Sequence, residues 1–268
     1  MTGGSHRDRE RRTCDPDLER FLDSEDVLAV GARLADHDPH HPLASYYSTH
    51  RDRLSHNQID QAYAFGMEFD AINPAGGRGS RLGGERKERL VRADEPLLSL
   101  AIRATESARR IVIVGDVAAR EGVMTTREDP PFAGPVAAIA AGLAQIPRED
   151  ESFVLVLACD VPDAVKALPY LRRQVGKERS ADGVIAVDEH GVDQYLLAIY
   201  STHSLRHALR TERPSSMRQV IEGLTLTRVR VPPGSTRDVD TWTDAAELGV
   251  SKQEETHALS SALGDLAS

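Results

Sequence analysis

Short apolar runs alternate with helical stretches along most of this chain, and that alternation constrains the fold more than any other feature. Continuous apolar runs bounded by turn residues are typical of buried strands, whereas longer stretches with an apolar stripe are typical of helices. Strands are predicted at 69–72, 111–114, 154–158, 183–187, 194–200 and 224–231. Helices are predicted at 96–108, 134–145, 164–175 and 202–210. This order predicts a three-layer α/β/α, Rossmann-like fold with a mostly parallel sheet and ligands at the carboxyl edge of its strands.

The first predicted strand leads into a loop that is rich in glycine and arginine. Gly76 and Gly77 open it, and Arg78, Arg81 and Lys87 add positive charge. Glycines let the backbone approach phosphate oxygens and donate N–H groups to them, while basic side chains neutralise phosphate charge. The pattern GxxxxGK-Ser/Thr does not fit, because an acidic residue follows the lysine, and GxGxxG fits only with altered spacing. Two interpretations remain: a long basic loop that wraps a nucleoside triphosphate, or a plain surface turn.

A carboxylate stands where the third predicted strand ends. Asp160 follows an apolar run at 154–159, which predicts a buried parallel strand. The carboxyl end of such a strand opens into the crevice where α/β sheets bind ligands. Because Mg²⁺ prefers carboxylate and phosphate oxygens, Asp160 is a candidate metal ligand. The alternative is an ordinary strand-end aspartate that caps the next turn, helped by Pro162.

Five motifs, taken together and in order, resemble the MobA-like nucleotidyltransferases, and within them molybdenum cofactor guanylyltransferase. The resemblance extends over residues 69–248. The opening motif LAGG, followed by arginine and lysine, is matched by Pro74-Ala75-Gly76-Gly77 with Arg81 and Lys87. The later motifs are matched by Glu128-Asp129-Pro130 with 134–139, by 153–162, by 193–198 and by Asp238-Val239-Asp240-Thr241.

The resemblance implies roles for individual residues. Arg81 and Lys87 would hold the β and γ phosphate oxygens as the charge of pyrophosphate develops, so both are candidate catalytic residues. The implied nucleotide-binding residues are Pro74, Ala75, Gly76, Gly77, Lys87, Asp129 and Asp160. The implied cofactor is Mg²⁺, held by Asp160, with Asp240 as a lesser candidate. Simpler interpretations are a turn residue for Asp129 and a helix N-cap beside Thr241 for Asp240.

The activity that the resemblance implies is transfer of GMP from Mg-GTP to the terminal phosphate of molybdopterin cofactor, with release of pyrophosphate. Asp193-Gln194 resembles a segment on the acceptor side. The alternatives are a related transferase that uses CTP or another acceptor, and a non-catalytic nucleotide-binding relative. Three departures keep these alternatives open, since Pro74 replaces leucine, Arg86 replaces an aspartate and Gly115 replaces an asparagine of the family.

The composition of the chain limits the kinds of partner and cellular location that we expect for it. The formal net charge of −9 over 268 residues argues against a nucleic-acid partner. No apolar run approaches the length of a membrane span, and no signal-peptide core follows the N-terminal charges. Cys14 and Cys159 lie in a polar segment and an apolar strand, so no disulfide framework is implied. We therefore expect a cytoplasmic protein, monomeric or weakly oligomeric, with GTP and a molybdopterin-type acceptor as its ligands.

The chain is predicted to consist of three parts. Residues 1–66 form a polar, partly disordered extension with arginine but no lysine and with six of the ten histidines. An amphipathic helix is predicted at 17–34, and the histidine cluster at 37–41 is interpreted as a solvated loop. The nucleotidyltransferase domain spans 67–250, with Met67 a hypothesised alternative start. A tail follows at 251–268.

Overall fold

The computed structural model describes residues 68–77, 79–148, 152–177, 181–211 and 215–253. The predicted extension at 1–66, with its helix at 17–34, lies outside the described residues. Of the predicted tail, only 251–253 are described. The boundaries of the extension and of the tail therefore stay predictions.

A seven-stranded mixed sheet forms the centre of the domain. The strands are β1 (Phe69–Pro74), β4 (Ile111–Val114), β5 (Met124–Thr126), β6 (Phe153–Leu157), β7 (Gly183–Val187), β8 (Asp193–Ser201) and β9 (Leu226–Arg230). They lie in the order β5-β4-β1-β6-β8-β7-β9. Strand β8 runs antiparallel to both of its neighbours, β6 and β7, and the other pairings are parallel. The predicted mostly parallel α/β fold is confirmed.

Helices cover the sheet. They are α1 (Leu97–Ala104), α2 (Pro135–Ala144), α3 (Leu168–Lys177), α4 (Thr202–Thr211), α5 (Met217–Glu222) and α6 (Trp242–Glu247). Val154 and Val156 of β6 belong to the buried cluster that α2, α4 and α5 complete, while Leu155 and Leu157 alternate with them and are equally buried. Because alternate strand residues point to opposite faces, both faces of the sheet are covered, as the near-continuous apolar run predicted.

A second, small antiparallel sheet lies beside the main one. It contains β2 (Val91–Arg92), β3 (Glu95–Pro96) and β10 (Val250–Ser251). A separate apolar cluster packs there, with Leu82 and Leu90 from the glycine-rich loop and Val239 and Leu248 from the end of the domain. Burial of each aliphatic side chain contributes about 1.5–3 kcal/mol relative to exposure. This cluster thus fixes the loop after β1 against the turn before α6.

Candidate active site

A cavity of about 470 Å³ opens at the carboxyl ends of β1 and β6. Because β8 is antiparallel to β6, the amino end of β8 reaches the same edge and supplies Asp193 and Gln194 to the wall. Gly76 and Gly77 follow β1, and Asp160 follows β6, so the chain enters the cavity where each strand ends. The predicted ligand edge is therefore concave and carries both backbone and charged groups.

The glycine-rich loop folds into two short 3₁₀ turns, Ser80–Leu82 and Lys87–Arg89. Gly79 makes this possible, because its φ of 54° lies in the left-handed region and a Cβ there would lie 2.0 Å from the Glu85 carbonyl oxygen. The loop does not begin a long helix, in agreement with its charged and glycine-rich sequence. Its compact path brings Lys87 back under the end of β1.

Lys87 connects the loop to two aspartates. Its Nζ donates to Oδ2 of Asp160 at 2.8 Å and to Oδ1 of Asp240 at 2.5 Å. Partial burial works against the positive charge, but the attraction of the two carboxylates outweighs it, so the pKa of Lys87 is raised above its ordinary value. The ammonium therefore keeps its charge throughout the neutral range.

Three carboxylates meet at this point. Oxygens of Asp160, Asp238 and Asp240 all lie within 4.8 Å of one another. A backbone hydrogen bond of 3.0 Å from Val239 N–H to the Asp160 carbonyl brings the closing turn to the end of β6. Partial desolvation by the surrounding protein and the neighbouring charges of Asp160 and Asp240 raise the pKa of Asp238, although the residue is still exposed to solvent. A set of hard oxygen donors that repel one another in this way suits a divalent cation such as Mg²⁺.

Arg81 does not line the cavity, but its side chain forms an ion pair with Asp240. Its guanidinium donates to Oδ2 of Asp240 at 2.9 Å, while its side chain is mostly exposed. Asp240 thus carries ion pairs to both predicted catalytic residues. The N-cap of α6 is Thr241, whose hydroxyl accepts from Asp244 N–H, so Asp240 itself is left to face the cations.

The structure brings together most, but not all, of the residues that the sequence singled out. Ala75 is buried and lines a smaller neighbouring cavity of about 240 Å³. Asp129 is exposed and is not among the residues that line either cavity, whereas its neighbour Glu128 lines both. The main cavity is lined by five of the predicted nucleotide-binding residues, namely Pro74, Gly76, Gly77, Lys87 and Asp160.

A family model described as the MobA-like NTP transferase domain matches residues 74–229. The chain belongs to this family. The match begins at Pro74, the last residue of β1, and ends within β9, so it contains the glycine-rich loop and the strand that leads to Asp160. The resemblance of the sequence motifs to the MobA-like nucleotidyltransferases is confirmed.

Solved structures share the fold of this MobA-like domain. Molybdopterin-guanine dinucleotide biosynthesis protein A from Archaeoglobus fulgidus matches with a TM-score of 0.51 and 16% identity, covering 68% of this chain and 97% of its own. Rv0371c from Mycobacterium tuberculosis matches with a TM-score of 0.56 and 16% identity, covering 68% and 97%. 2-C-methyl-D-erythritol 4-phosphate cytidylyltransferase from Thermus thermophilus matches with a TM-score of 0.52 and 16% identity, covering 68% and 98%. No curated protein sequence matches the chain.

Two departures of this MobA-like domain from the family motif have local explanations. Arg86 donates from Nε to Glu88 at 2.5 Å and also contacts the carboxylate of Asp116, and the Glu88 hydrogen bond is the main reason why the pKa of Arg86 is raised. Gly115 lies so close to Ala75 that a Cβ would be 2.7 Å from the Ala75 carbonyl oxygen. An asparagine at 115 is therefore incompatible with this path of the Ala75 backbone.

Several residues that line the cavity were not among the predicted site residues, and Glu128, Asp238 and Phe132 are three of them. Asp238 was visible as part of the closing motif, but only the Val239 hydrogen bond to Asp160 brings it to the carboxylate cluster. No motif in the sequence singled out Phe132.

Within the described residues, no helix combines the length and apolarity that crossing a membrane requires.

Proposed function

We propose that the protein transfers GMP from GTP to the terminal phosphate of a molybdopterin-type cofactor and releases pyrophosphate. Membership of the MobA-like NTP transferase family supports nucleotidyl transfer as the reaction class. The observation that carries the proposal is the contact of Lys87 with Asp160 and Asp240, where Lys87 and Asp160 line the same cavity as Gly76 and Gly77.

The chemistry requires charge compensation rather than a protein nucleophile. An oxygen of the acceptor phosphate forms a bond to the α-phosphorus of GTP, and the bond from that phosphorus to the oxygen that bridges to the β-phosphate breaks. Negative charge passes to the departing pyrophosphate. Lys87, which is largely buried, and the more exposed Arg81 supply permanent positive charge beside the cavity, and the surrounding protein strengthens this stabilisation at Lys87.

The carboxylate cluster fits the divalent ion that the family implies. Asp160, Asp238 and Asp240 would hold Mg²⁺, since each offers an oxygen and their mutual repulsion is relieved by a cation. When bound, the ion would supply Lewis acidity toward phosphate oxygens. The backbone N–H groups of Gly76 and Gly77 would orient the triphosphate from the other wall.

Two observations support GTP and a molybdopterin-type acceptor as the substrates within this reaction class. The Archaeoglobus fulgidus neighbour is named for molybdopterin-guanine dinucleotide biosynthesis. Asp193 and Gln194, which resemble the acceptor side of the family, line the same cavity as Lys87. A CTP-using transferase is the alternative, because the Thermus thermophilus neighbour is named as a cytidylyltransferase and matches with similar scores. A non-catalytic relative would have no need for Lys87 and two aspartates in mutual contact.

Calorimetric titration of the full chain with GTP, CTP and ATP, each with and without Mg²⁺, tests the proposal. Selective, Mg²⁺-dependent binding of GTP, followed by pyrophosphate release when a molybdopterin acceptor is added, is the expected result. Selective binding of CTP would favour the cytidylyl alternative. Failure to bind any of the three triphosphates would refute nucleotidyl transfer.

A further inference from the structure

The hairpin between β7 and β8 forms part of the cavity wall. Asp193 and Gln194 begin β8 and line the cavity, and Asp188 follows the last residue of β7. Because β8 is antiparallel to both β6 and β7, the carboxyl end of β7 lies at the same edge of the sheet as that of β6. Asp188 itself does not line the cavity. A direct contact with a ligand at this wall is therefore made by its neighbours.

The carboxylate of Asp188 holds the turn with one oxygen and Gln194 with the other. Oδ1 accepts from the backbone N–H groups of His190 and Val192 at 2.9 and 2.8 Å. Oδ2 accepts from Nε2 of Gln194 at 3.1 Å. The pairing of Ala186 with Gln194 explains this contact, because it places the side chains of residues 188 and 194 on the same face of the hairpin.

This contact fixes which end of the Gln194 amide is turned toward the cavity. The hydrogen bonds from Val192 and His190 N–H lower the pKa of Asp188, so its carboxylate is ionised at neutral pH and has no hydrogen to donate. Only the NH2 end of the amide can therefore face it. The Val192 carbonyl oxygen lies on the same side, 3.5 Å from Nε2. Oε1 is thus the polar atom that Gln194 offers to the cavity it lines.

The neighbouring Asp193 is held by a different strand. Arg228 of β9 donates from Nε to Oδ1 of Asp193 at 2.7 Å, and from Nη2 to the Gly191 carbonyl oxygen at 2.7 Å. The charge of Asp193 is therefore paired, and the turn is tied to β9. Because a phosphate-bearing substrate is itself anionic, the neutral oxygen of Gln194 is better suited than a carboxylate to accept a hydrogen bond from it.

We propose that Asp188 is a positioning residue that turns the carbonyl oxygen of Gln194 into the cavity, where it accepts a hydrogen bond from an N–H or O–H group of the second substrate, the one that receives the nucleotidyl group. This inference rests on the proposed function and deepens it, because it states which kind of group the second substrate presents at this wall. A pterin ring carries amino and ring N–H groups, which are donors of this kind. A ring nitrogen or carbonyl oxygen at the same place would face the Gln194 oxygen and be rejected.

Asp188→Asn reverses the polarity of this wall and keeps the hydrogen bond within it. The oxygen of the asparagine can still accept from the backbone N–H groups of the turn, and its NH2 then faces Gln194. The Gln194 amide must flip to offer Oε1 to that NH2, so its own NH2 turns toward the cavity. A donor of the second substrate then meets a donor of the protein. If Asp188 only fixed the turn, this variant would behave as the wild type does.

The double variant Asp188→Asn/Gln194→Glu restores the original polarity. One oxygen of the glutamate accepts from the asparagine NH2, and the other is left to accept a hydrogen bond in the cavity. The pair keeps a single negative charge, as in the wild type. Gln194→Glu alone places two carboxylates against each other, so it should not reproduce this arrangement.

The test measures pyrophosphate release by the full chain, with Mg-GTP and molybdopterin cofactor varied in turn. Asp188→Asn should raise the KM for the cofactor by roughly 10- to 100-fold, since a buried donor is left unpaired. The KM for GTP should stay within about two-fold of the wild type, because the nucleotide does not contact this wall. The double variant should recover most of the loss. Glu189→Gln, at an exposed glutamate of the same turn that does not line the cavity, is the matched control and should keep both KM values.

Three outcomes would overturn the inference while leaving the proposed function intact. A wild-type KM for the cofactor in Asp188→Asn would mean that the hydrogen bond only fixes the turn. A rise in the KM for GTP instead would assign Gln194 to the nucleotide. A double variant as impaired as Asp188→Asn would show that the polarity of the amide is not the cause.

Two further measurements keep the test decisive. Thermal unfolding of each variant shows whether the fold is retained. Gln194→Met keeps the length of the side chain without its amide, so it should raise the KM for the cofactor even if Asp188→Asn is unstable, and an unchanged KM would refute the role of Gln194. A wild type that releases no pyrophosphate with GTP and molybdopterin cofactor would refute the proposed function and this inference with it.

Discussion

The ammonium of Lys87 lies 2.8 Å from the carboxylate of Asp160, although 73 residues separate them in the chain. Their contact follows from the sheet, because β1 and β6 are neighbouring parallel strands with Ile72 opposite Val156. The loop after β1 and the residue after β6 therefore emerge side by side. A basic loop and a strand-end aspartate, each weak as a separate signal, become one charged site.

Replacement of Lys87 by alanine should reduce nucleotidyl transfer by roughly 10²–10³-fold, the range seen when one group that stabilises transition-state charge is removed. Lys87→Arg should restore little, because a planar guanidinium cannot take the place of a compact ammonium between two carboxylates. Pyrophosphate release at saturating GTP and Mg²⁺ measures the effect. Lys252→Ala, an exposed lysine that pairs with Glu85, is the control. A rate for Lys87→Ala within two-fold of the wild type would contradict the role.

Mg²⁺ should stabilise the wild type against unfolding by an amount that grows with its concentration, because an ion that binds only the folded state raises its stability by mass action. The change in unfolding temperature is measured at about 1–20 mM Mg²⁺ and constant ionic strength, a range of the usual order for weak carboxylate sites. Asp160→Asn should remove most of the gain, and addition of EDTA should reverse it. Equal stabilisation of Asp160→Asn and the wild type would place the ion elsewhere.

Gly115→Ala should destabilise the domain by about 1–3 kcal/mol, as overpacking usually does. The new Cβ would lie 2.7 Å from the Ala75 carbonyl oxygen, so the backbone just before Gly76 must move. GTP affinity should fall with stability for the same reason. Gly223→Ala is the matched control, because a Cβ there meets only the Val220 oxygen at 3.8 Å. Urea unfolding compares the two, and equal midpoints would show that the contact at Gly115 is relieved without cost.

The sequence predicted six of the seven strands of the main sheet, mostly from apolar runs, and missed β5, whose three residues Met124–Thr126 form no such run. Two predicted strands, at 111–114 and 183–187, coincide with β4 and β7. The three strands of the small sheet are two residues long and carry no periodicity, so their pairing depends on tertiary contacts alone. The first predicted helix ends at Ala104 rather than at 108, and at this end the Thr105 hydroxyl donates to the carbonyl of Ala101 and lies in hydrogen-bond range of Asn73.

The candidate site was predictable only where a motif fixed the position of a residue. Lys87 and Asp160 stood out because each ends a recognisable pattern. The sequence could not tell which carboxylate of Glu128 and Asp129 points inward, since the turn decides this through the Phe132 N–H.

The helix predicted at 164–175 begins later, at Leu168, after a 3₁₀ turn at Ala164–Lys166.

The ion pairs of Asp163, which does not line the candidate active site, lead to a prediction of how stability depends on pH. Its carboxylate accepts from Arg92 of β2 at 3.1 Å and from Lys166 at 2.8 Å, which ties the end of β6 to the small sheet. Partial burial opposes its charge, but the hydrogen bonds from Lys166 and Arg92 outweigh it and lower the pKa of Asp163 below its ordinary value. A carboxyl whose pKa is lower in the folded state stabilises the fold above the unfolded pKa of 3.8 and loses that contribution as the pH falls through the folded value.

Asp163→Asn should therefore lower the free energy of unfolding at pH 7 by about 1 kcal/mol or less, since solvent screens much of the interaction. The difference from the wild type should persist at pH 5 and shrink below about pH 4, where the wild-type carboxyl takes up its proton. The difference is measured from the midpoints of urea unfolding at about pH 7, 5, 4 and 3, which include the range where carboxyl groups titrate. Glu106→Gln, which replaces an exposed glutamate, is the control variant and should unfold at the wild-type midpoint at pH 7. A difference for Asp163→Asn that is as large at pH 3 as at pH 7 would mean that the asparagine disturbs packing rather than removing an ion pair.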